Sequence, residues 1–120
     1  MLRPTRLTII LTLLLSVAVR AQQGQELYQV FCASCHMADR FHVGPSLIEI
    51  GKLYGEKPDE FVAWCHAPKQ KRKGVIQMPS MAHVDAPKLR QIHGWIVSST
   101  KGKKEVEVKG LDCLLYTSPS

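Results

Sequence analysis

The sequence has few aromatic residues, with three Phe, three Tyr and two Trp among 120 residues. They are not interleaved with the basic residues, as they are on many surfaces that bind nucleic acid, so we expect no nucleic-acid partner. From residue 22 onward the chain has 13 Lys or Arg and 10 Asp or Glu, which is a mild positive excess. This excess favours a partner protein with an acidic docking surface.

The sequence also lacks a sustained alternation of apolar and polar residues, and it contains no internal repeat. These two absences argue against a β-sheet protein and against a repeat array. Helical spacing is present instead in residues 25–30. Ser46 is predicted to N-cap a short helix that runs through Ile50, before Gly51 and Gly55 interrupt it.

Two further helices are predicted in the second half of the chain. Pro58 and the two acidic residues after it have the pattern of a first helical turn. Asp85 is predicted to N-cap the last helix, from Ala86 to about Ser99, whose apolar stripe consists of Leu89, Ile92 and Ile96. We therefore expect an all-α domain of three to five short helices.

Residues 1–21 have the pattern of a secretory signal peptide. Arg3 and Arg6 form a basic start, 13 uncharged and mostly apolar residues follow, and cleavage is predicted after Ala21. The apolar run is shorter than the roughly 20 residues that a membrane-spanning helix needs. We therefore predict an exported protein, periplasmic or otherwise secreted, which meets a membrane only if this segment stays uncleaved as an anchor.

The C-terminal part is predicted to lie outside the folded domain, which we place at residues 22–100. Residues 101–112 are rich in Lys and Glu and indicate a charged linker or a solvated tail. Residues 113–120, CLLYTSPS, resemble translated adapter sequence and are expected not to be native. In that case the natural chain continues past about Asp112.

A domain of about 80 residues builds only a small hydrophobic core and usually needs a staple. Cysteines in an exported chain first suggest disulfides, but Cys32, Cys35 and His36 form C-x-x-C-H, the attachment signature of haem c. On a helical turn both thiols face one side and can form thioethers with one edge of a porphyrin. His36 is then carried under the iron as the proximal ligand.

Two alternatives remain open for this cysteine motif. A redox dithiol of this spacing belongs to a strand–helix context that the sequence lacks. A zinc site would need two further ligands, and since no second C-x-x-C is present, Cys65 and His66 would have to supply them. Haem c is the cofactor that the motif favours, as one covalently attached group.

Met78 is the predicted second ligand of the iron. It lies 42 residues after His36, in a predicted loop, and Pro79 follows it. A thioether is a soft ligand that raises the reduction potential when it stands opposite histidine, and the proline restricts Met78 to an extended backbone. Met81 and His83 remain the alternative ligands.

These residues resemble the class I c-type cytochromes, the small soluble haem proteins of respiratory chains. The resemblance covers about residues 24–99 and implies a cytochrome c-like fold, in which the helices wrap around one covalently bound haem c. It also implies that Gly24 and Tyr28 on the first helix contact Ile92 and Trp95 on the last helix.

The resemblance further implies roles at the haem. Residues 44–47 match the family's Gly-Pro-x-Leu stretch, in which the carbonyl of Pro45 accepts a hydrogen bond from the second ring nitrogen of His36. Leu47 would pack on the haem face. Met78 matches the family's axial methionine, so that the implied metal ligands are His36 and Met78.

An iron with two strong protein ligands has no open site, so we expect no small-molecule substrate and no enzymatic activity. The predicted function is single-electron transfer by a diffusible carrier. The alternatives are the haem domain of a larger exported oxidoreductase, truncated in this sequence, and a ligand sensor or peroxidase in which the methionine leaves the iron. An acidic redox partner would be steered by a basic cluster in the methionine loop, formed by Lys69, Lys71, Arg72 and Lys73.

Overall fold

The computed structural model describes residues 4–106, apart from the side chains of residues 17 and 18. The predictions for residues 107–120 lie outside this part of the chain. Within it there are four α-helices and no strand: α1 Pro4–Phe31, α2 Leu47–Tyr54, α3 Pro58–His66 and α4 Ala86–Thr100. The all-α prediction of three to five helices is confirmed.

Helix α1 is longer than the sequence pattern indicated. The predicted signal segment and the first helix of the domain form one continuous helix of 28 residues, about 42 Å long at 1.5 Å per residue. Its N-terminal apolar side chains are exposed. In residues 4–106 it is the one helix long and apolar enough to cross a membrane, a test that signal sequences also pass.

The C-terminal half of α1 packs against α4. A Cβ atom added at Gly24 would lie 2.5 Å from the carbonyl oxygen of Gln91 and 2.7 Å from Cβ of Trp95, so only glycine allows this approach. One turn later the ring of Tyr28 stacks on Trp95 with the centroids 4.8 Å apart. The contact between the first and last helices that the resemblance implied is therefore confirmed.

Helix α2 begins as predicted and ends later than predicted. Ser46 is the N-cap, and its Oγ accepts a hydrogen bond from the backbone N–H of Glu49 at 3.0 Å. The prediction that Gly51 interrupts the helix is wrong, since the helix continues to Tyr54. Burial of apolar residues of this helix stabilises it by more than the roughly 1 kcal/mol that a helical glycine costs.

Helices α3 and α4 supply most of the remaining core. Helix α3 begins at Pro58 as predicted. Helix α4 follows Asp85, whose carboxylate forms an ion pair with Lys88 at 3.2 Å and makes no side-chain capping bond. Their apolar faces meet the end of α1 in one cluster of buried side chains, which includes Phe61, Val62, Leu89, Ile92 and Ile96.

The first residues after α4 do not extend away from the domain. The backbone N–H of Val106 donates a hydrogen bond to the carbonyl oxygen of Asp39 at 3.0 Å. The hydroxyl of Ser46 donates to the carboxylate of Glu105. Residues 101–106 are exposed, and two non-local hydrogen bonds hold this segment on the loop after His36. The division between a folded domain and a charged linker or tail stays a prediction.

Candidate haem site

The cysteine motif continues the last turn of α1. The backbone N–H groups of Cys32 and Ala33 both donate to the carbonyl oxygen of Tyr28, at 2.8 and 3.0 Å. Those of Cys35 and His36 donate to the carbonyl oxygen of Cys32, at 3.1 and 3.0 Å. This helix-like winding brings both cysteines to one side of the turn, as their spacing predicted.

One open cavity of about 220 Å³ brings the predicted site residues together. Cys32, Cys35 and His36 line it from the end of α1, and Met78 lines it from the loop between α3 and α4. Most of the other lining side chains are apolar, among them Val43, Leu47, Ile50, Phe61, Ile76 and Ile96. Two thiols, an imidazole, a thioether and an apolar wall are the groups that fit a covalently attached haem.

The loop after the motif orients His36. Its Nδ1 lies 2.8 Å from the carbonyl oxygen of Pro45. Because a carbonyl can only accept, Nδ1 carries the proton, and Nε2 presents its lone pair as a metal ligand would. Gly44 lies against the ring, since a Cβ atom there would be 2.5 Å from Cε1 of His36. The hydrogen bond that the resemblance implied for Pro45 is present.

Tyr28 adds a contact to His36 that sequence reasoning missed. Its hydroxyl donates a hydrogen bond of 2.6 Å to the carbonyl oxygen of His36. The same ring stacks on Trp95, so one side chain joins the cysteine motif to the interface between α1 and α4. The resemblance implied Tyr28 as a contact of the last helix, but the sequence carries no signal for a bond eight residues ahead.

The three candidate axial ligands differ in their surroundings. Met78 is half-buried and lines the cavity. Met81 is 8% exposed within the apolar core, and its backbone N–H donates to the carbonyl oxygen of Cys65 at 2.8 Å. His83 is exposed, with its ring 6.1 Å from that of Phe31. Neither Met81 nor His83 lines the cavity.

Cys65 is a buried thiol on α3 that also lines the cavity. Burial, with a smaller contribution from the charge of a Cys32 thiolate, raises the pKa of Cys65 to about 12. Burial likewise raises the pKa of Cys32 to about 11, with the charge of a Cys35 thiolate as the lesser cause. In the chain before haem attachment both groups are therefore protonated thiols at neutral pH, and Cys65 is a small apolar member of the core.

The histidine of the zinc alternative is engaged elsewhere. Nε2 of His66 lies 2.9 Å from the carbonyl oxygen of Val84, in a hydrogen bond between α3 and the start of the last helical region. Over residues 4–106, no group of three or more His, Cys, Asp or Glu side chains is arranged to hold a metal ion. The histidine of this pair thus has a structural role.

Two members of the basic cluster are tied to the domain. Nζ of Lys71 lies 4.0 Å from the ring centroid of Trp64 and 3.3 Å from the hydroxyl of Tyr54. The guanidinium group of Arg72 forms an ion pair with Glu49. The charges nevertheless remain exposed, as do those of Lys69 and Lys73. The sequence showed the cluster but had no signal for these partners, which lie on α2 and α3.

An all-α domain with C-x-x-C-H and a methionine on one apolar cavity defines the class of c-type cytochromes. A sequence model of one family, described as cytochrome c oxidase, cbb3-type, subunit III, matches residues 19–96. The chain belongs to this family. It is thus an electron-transfer module, and membership implies one covalently bound haem c. Neither the curated proteins nor the solved structures gave a significant match.

Proposed function

We propose that the protein is an exported single-electron carrier whose haem c is attached through Cys32 and Cys35 and ligated by His36 and Met78. The observation that carries this proposal is the cavity that all four side chains line, although Met78 lies 42 residues from His36 in the chain. The family match supports the haem and the electron transfer.

The residues of the chain would do three things for this function. The bound haem c supplies a one-electron ferric/ferrous couple. Pro45 holds Nδ1–H of His36, which keeps Nε2 as the ligand atom and raises its basicity. Met78 would supply the second protein ligand of the iron and so would leave no site for a substrate. Leu47, 2% exposed, contributes to the apolar wall against the macrocycle and keeps water away from it.

The predicted export signal belongs to this proposal. Cleavage after Ala21 would leave Gln22 as the first residue and would keep the packing of Gly24 and Tyr28 on α4. Export is also what haem attachment to a C-x-x-C-H motif suggests for a family member. An intact mass that begins at Gln22 supports a periplasmic or secreted carrier, whereas a retained first helix in a membrane fraction would make the protein a membrane-anchored one.

The partner would be a redox protein with an acidic surface. Four exposed cations lie in the loop before Met78, and three of them, Lys69, Lys71 and Arg72, line the cavity in which the haem would lie. Positive charge near the cavity would steer an acidic partner to the position from which electrons pass. The charge pattern is the support for this part of the proposal.

Optical spectra of the protein, made with a haem-attachment system, test the haem assignment. We expect a low-spin c-type spectrum from the native protein and no carbon monoxide binding to the reduced protein at neutral pH. The haem should stay bound to the polypeptide after denaturation, because the thioethers are covalent. Rapid carbon monoxide binding would instead favour the sensor or peroxidase alternative. Colourless protein with both motif thiols free would refute the assignment.

A second candidate is the haem domain of a larger exported oxidoreductase. It is favoured by the family description, which names a subunit of an oxidase. The reading frame of the gene downstream of residue 112 discriminates the two. A stop codon shortly after this point supports the free carrier, and a long open frame supports the domain.

A further inference from the structure

Residues 101–106, which we call the strap, turn back onto the domain at the end of α4. The backbone N–H of Lys103 donates to the carbonyl oxygen of Thr100 at 3.0 Å. Gly102, within this turn, has a φ of 74°, a left-handed conformation that favours glycine. The chain direction therefore reverses immediately after the helix. The reversal brings the following residues to the loop that comes after the cysteine motif.

The strap contacts both ends of one loop. The backbone N–H of Val106 donates to the carbonyl oxygen of Asp39 at 3.0 Å. Glu105 accepts a hydrogen bond from the hydroxyl of Ser46, 59 residues away in the chain. The loop between these two contacts, residues 39–46, has no regular secondary structure, so its shape depends on bonds of this kind.

The same loop carries the acceptor of the His36 hydrogen bond. The carbonyl oxygen of Pro45, the residue before Ser46, accepts a hydrogen bond from Nδ1–H of His36 at 2.8 Å. A second bond fixes this loop to the cysteine motif, since the backbone N–H of Gly44 donates a hydrogen bond to the carbonyl oxygen of Cys35 at 2.9 Å. The strap adds its own two contacts to the loop, at Asp39 and Ser46. The strap contacts and the Gly44 bond together fix the position of the Pro45 carbonyl.

Ser46 transmits this restraint. Its side chain is fully buried, at 0% exposure. Its oxygen accepts from the N–H of Glu49 and its single proton is donated to Glu105. If the carboxylate is removed, the Ser46 hydroxyl loses the acceptor of its proton, and Ser46 loses its anchor to the exposed strap. Without this anchor the loop can shift at Ser46, which would displace the neighbouring Pro45 carbonyl.

We propose that Glu105 is a positioning residue for His36 and that the strap is part of the haem domain. Glu105 acts through Ser46 and Pro45 to keep the Nδ1–H bond of the proximal ligand short. A firm bond makes His36 a more basic ligand, stabilises the ferric state and lowers the reduction potential. This inference rests on the proposed function, in which His36 ligates the iron.

The test uses the full-length holoprotein with ¹⁵N-labelled histidine. Two quantities are measured: the exchange rate of the His36 Nδ1 proton with solvent, by NMR, and the reduction potential. For Glu105→Ala we expect exchange about tenfold faster, because a charge-assisted hydrogen bond to a buried group is lost, and a shift of the potential to higher values. Glu105→Gln keeps an uncharged acceptor, so we expect an intermediate rate.

Lys104→Ala is the matched control, since it changes a neighbouring exposed residue of the strap whose side chain takes part in neither contact with the loop. We expect it to leave both quantities at the wild-type values. The proposal is overturned if Glu105→Ala matches Lys104→Ala in exchange and potential. If Glu105→Ala does not yield folded holoprotein, an unchanged exchange rate in Glu105→Gln overturns it instead.

The wild-type spectrum separates this proposal from the proposed function. A wild-type holoprotein that shows no iron-shifted histidine resonance for His36 refutes the ligation scheme and the positioning role together. A normal His36 signal with no response to Glu105→Ala refutes the positioning role alone. Faster exchange in Glu105→Ala with normal thioether attachment supports the role of the strap.

Discussion

At the scale of single residues, the proximal histidine shows how a local bond selects a chemistry. His36 has two ring nitrogens, and the carbonyl of Pro45 accepts from one of them at 2.8 Å. The other nitrogen is thereby left as the basic one. Gly44 permits this arrangement because any side chain there would overlap the imidazole. Orientation of the His36 ring thus depends on two consecutive loop residues, Gly44 and Pro45.

Cys65 provides a prediction from its shifted pKa. Burial raises the pKa to about 12, so the thiol of native protein is almost fully protonated at pH 8 and reacts slowly with iodoacetamide. Because the pKa is raised, the thiolate fraction and the labelling rate should keep rising about tenfold per pH unit from 8 to 10. Peptide mapping by mass spectrometry after timed labelling measures the rate at Cys65 itself.

Protein unfolded in guanidinium chloride is the control for this labelling. Its Cys65 should react rapidly at pH 8 and its rate should level off near pH 9, as expected for an ordinary cysteine. Fast labelling of the native protein at pH 8 would show that the thiol is accessible and that its place in the core is misassigned.

At the scale of helices, substitutions at two glycines distinguish the effect of close packing from that of helix propensity. Gly24 on α1 faces the backbone of α4, whereas a Cβ atom added at Gly94 on α4 meets nothing within 4 Å. Gly24→Ala should therefore destabilise the holoprotein by about 1–3 kcal/mol through overpacking. Gly94→Ala should stabilise it by up to about 1 kcal/mol, since alanine is the better helix former. Chemical denaturation measures both values.

The two substitutions are expected to change the free energy of unfolding in opposite directions. Equal effects of Gly24→Ala and Gly94→Ala would contradict the tight contact between α1 and α4. A loss of stability restricted to Gly24→Ala would support it. The same substitution at both positions keeps the change in side-chain volume constant.

The helices illustrate what could be predicted from the sequence and what could not. The starts of α2, α3 and α4 were predictable because Ser46, Pro58 and Asp85 are local signals. The end of α2 was not, since packing of its apolar face outweighs the glycine inside it. Continuity of α1 through Ala21 was also missed, because a predicted cleavage site and a helix interior can have the same sequence.

In the candidate site, too, local motifs could be predicted from the sequence and non-local contacts could not. C-x-x-C-H and Met-Pro are contiguous motifs, and the cavity unites them as their chemistry required. The contact of Glu105 with Ser46 joins residues 59 apart, and the contact of Lys71 with Trp64 depends on how a loop folds over α3. Non-local polar contacts of this kind have no periodicity or spacing that a single sequence could show.

At the scale of the whole molecule, the haem completes a small interior. The buried apolar cluster joins α2, α3 and α4 to the end of α1, and the cavity lined by the cysteine motif and Met78 lies within the same set of elements. A chain of this size has little apolar area of its own to bury. We therefore expect covalent attachment of the haem to stabilise the fold as well as to provide electron transfer.

The surface charge leads to a prediction for electron exchange. Lys69 and Lys73 are exposed and their side chains take no part in the contacts that tie Lys71 and Arg72 to the domain. Oxidation of the reduced protein by the anion ferricyanide should slow by about tenfold at low ionic strength in Lys69→Gln/Lys73→Gln. The difference should shrink as salt screens the charges. Stopped-flow spectroscopy measures these rates.

A double substitution of equal charge on another face is the control. Lys88 and Lys101 lie at the two ends of α4 and do not line the cavity. Lys88→Gln/Lys101→Gln should reduce the rate much less. If both pairs slow the reaction equally, net charge alone governs the rate and the methionine loop is no docking surface.

The central claim is that one iron is ligated by His36 and Met78, and the weak far-red absorption band of sulfur bonded to ferric iron tests it most directly. We expect this band in the oxidised wild-type protein and in Met81→Ala. We expect its loss in Met78→Ala, together with carbon monoxide binding by the reduced form. A band that persists in Met78→Ala, or that is absent from the wild-type protein, would contradict the account.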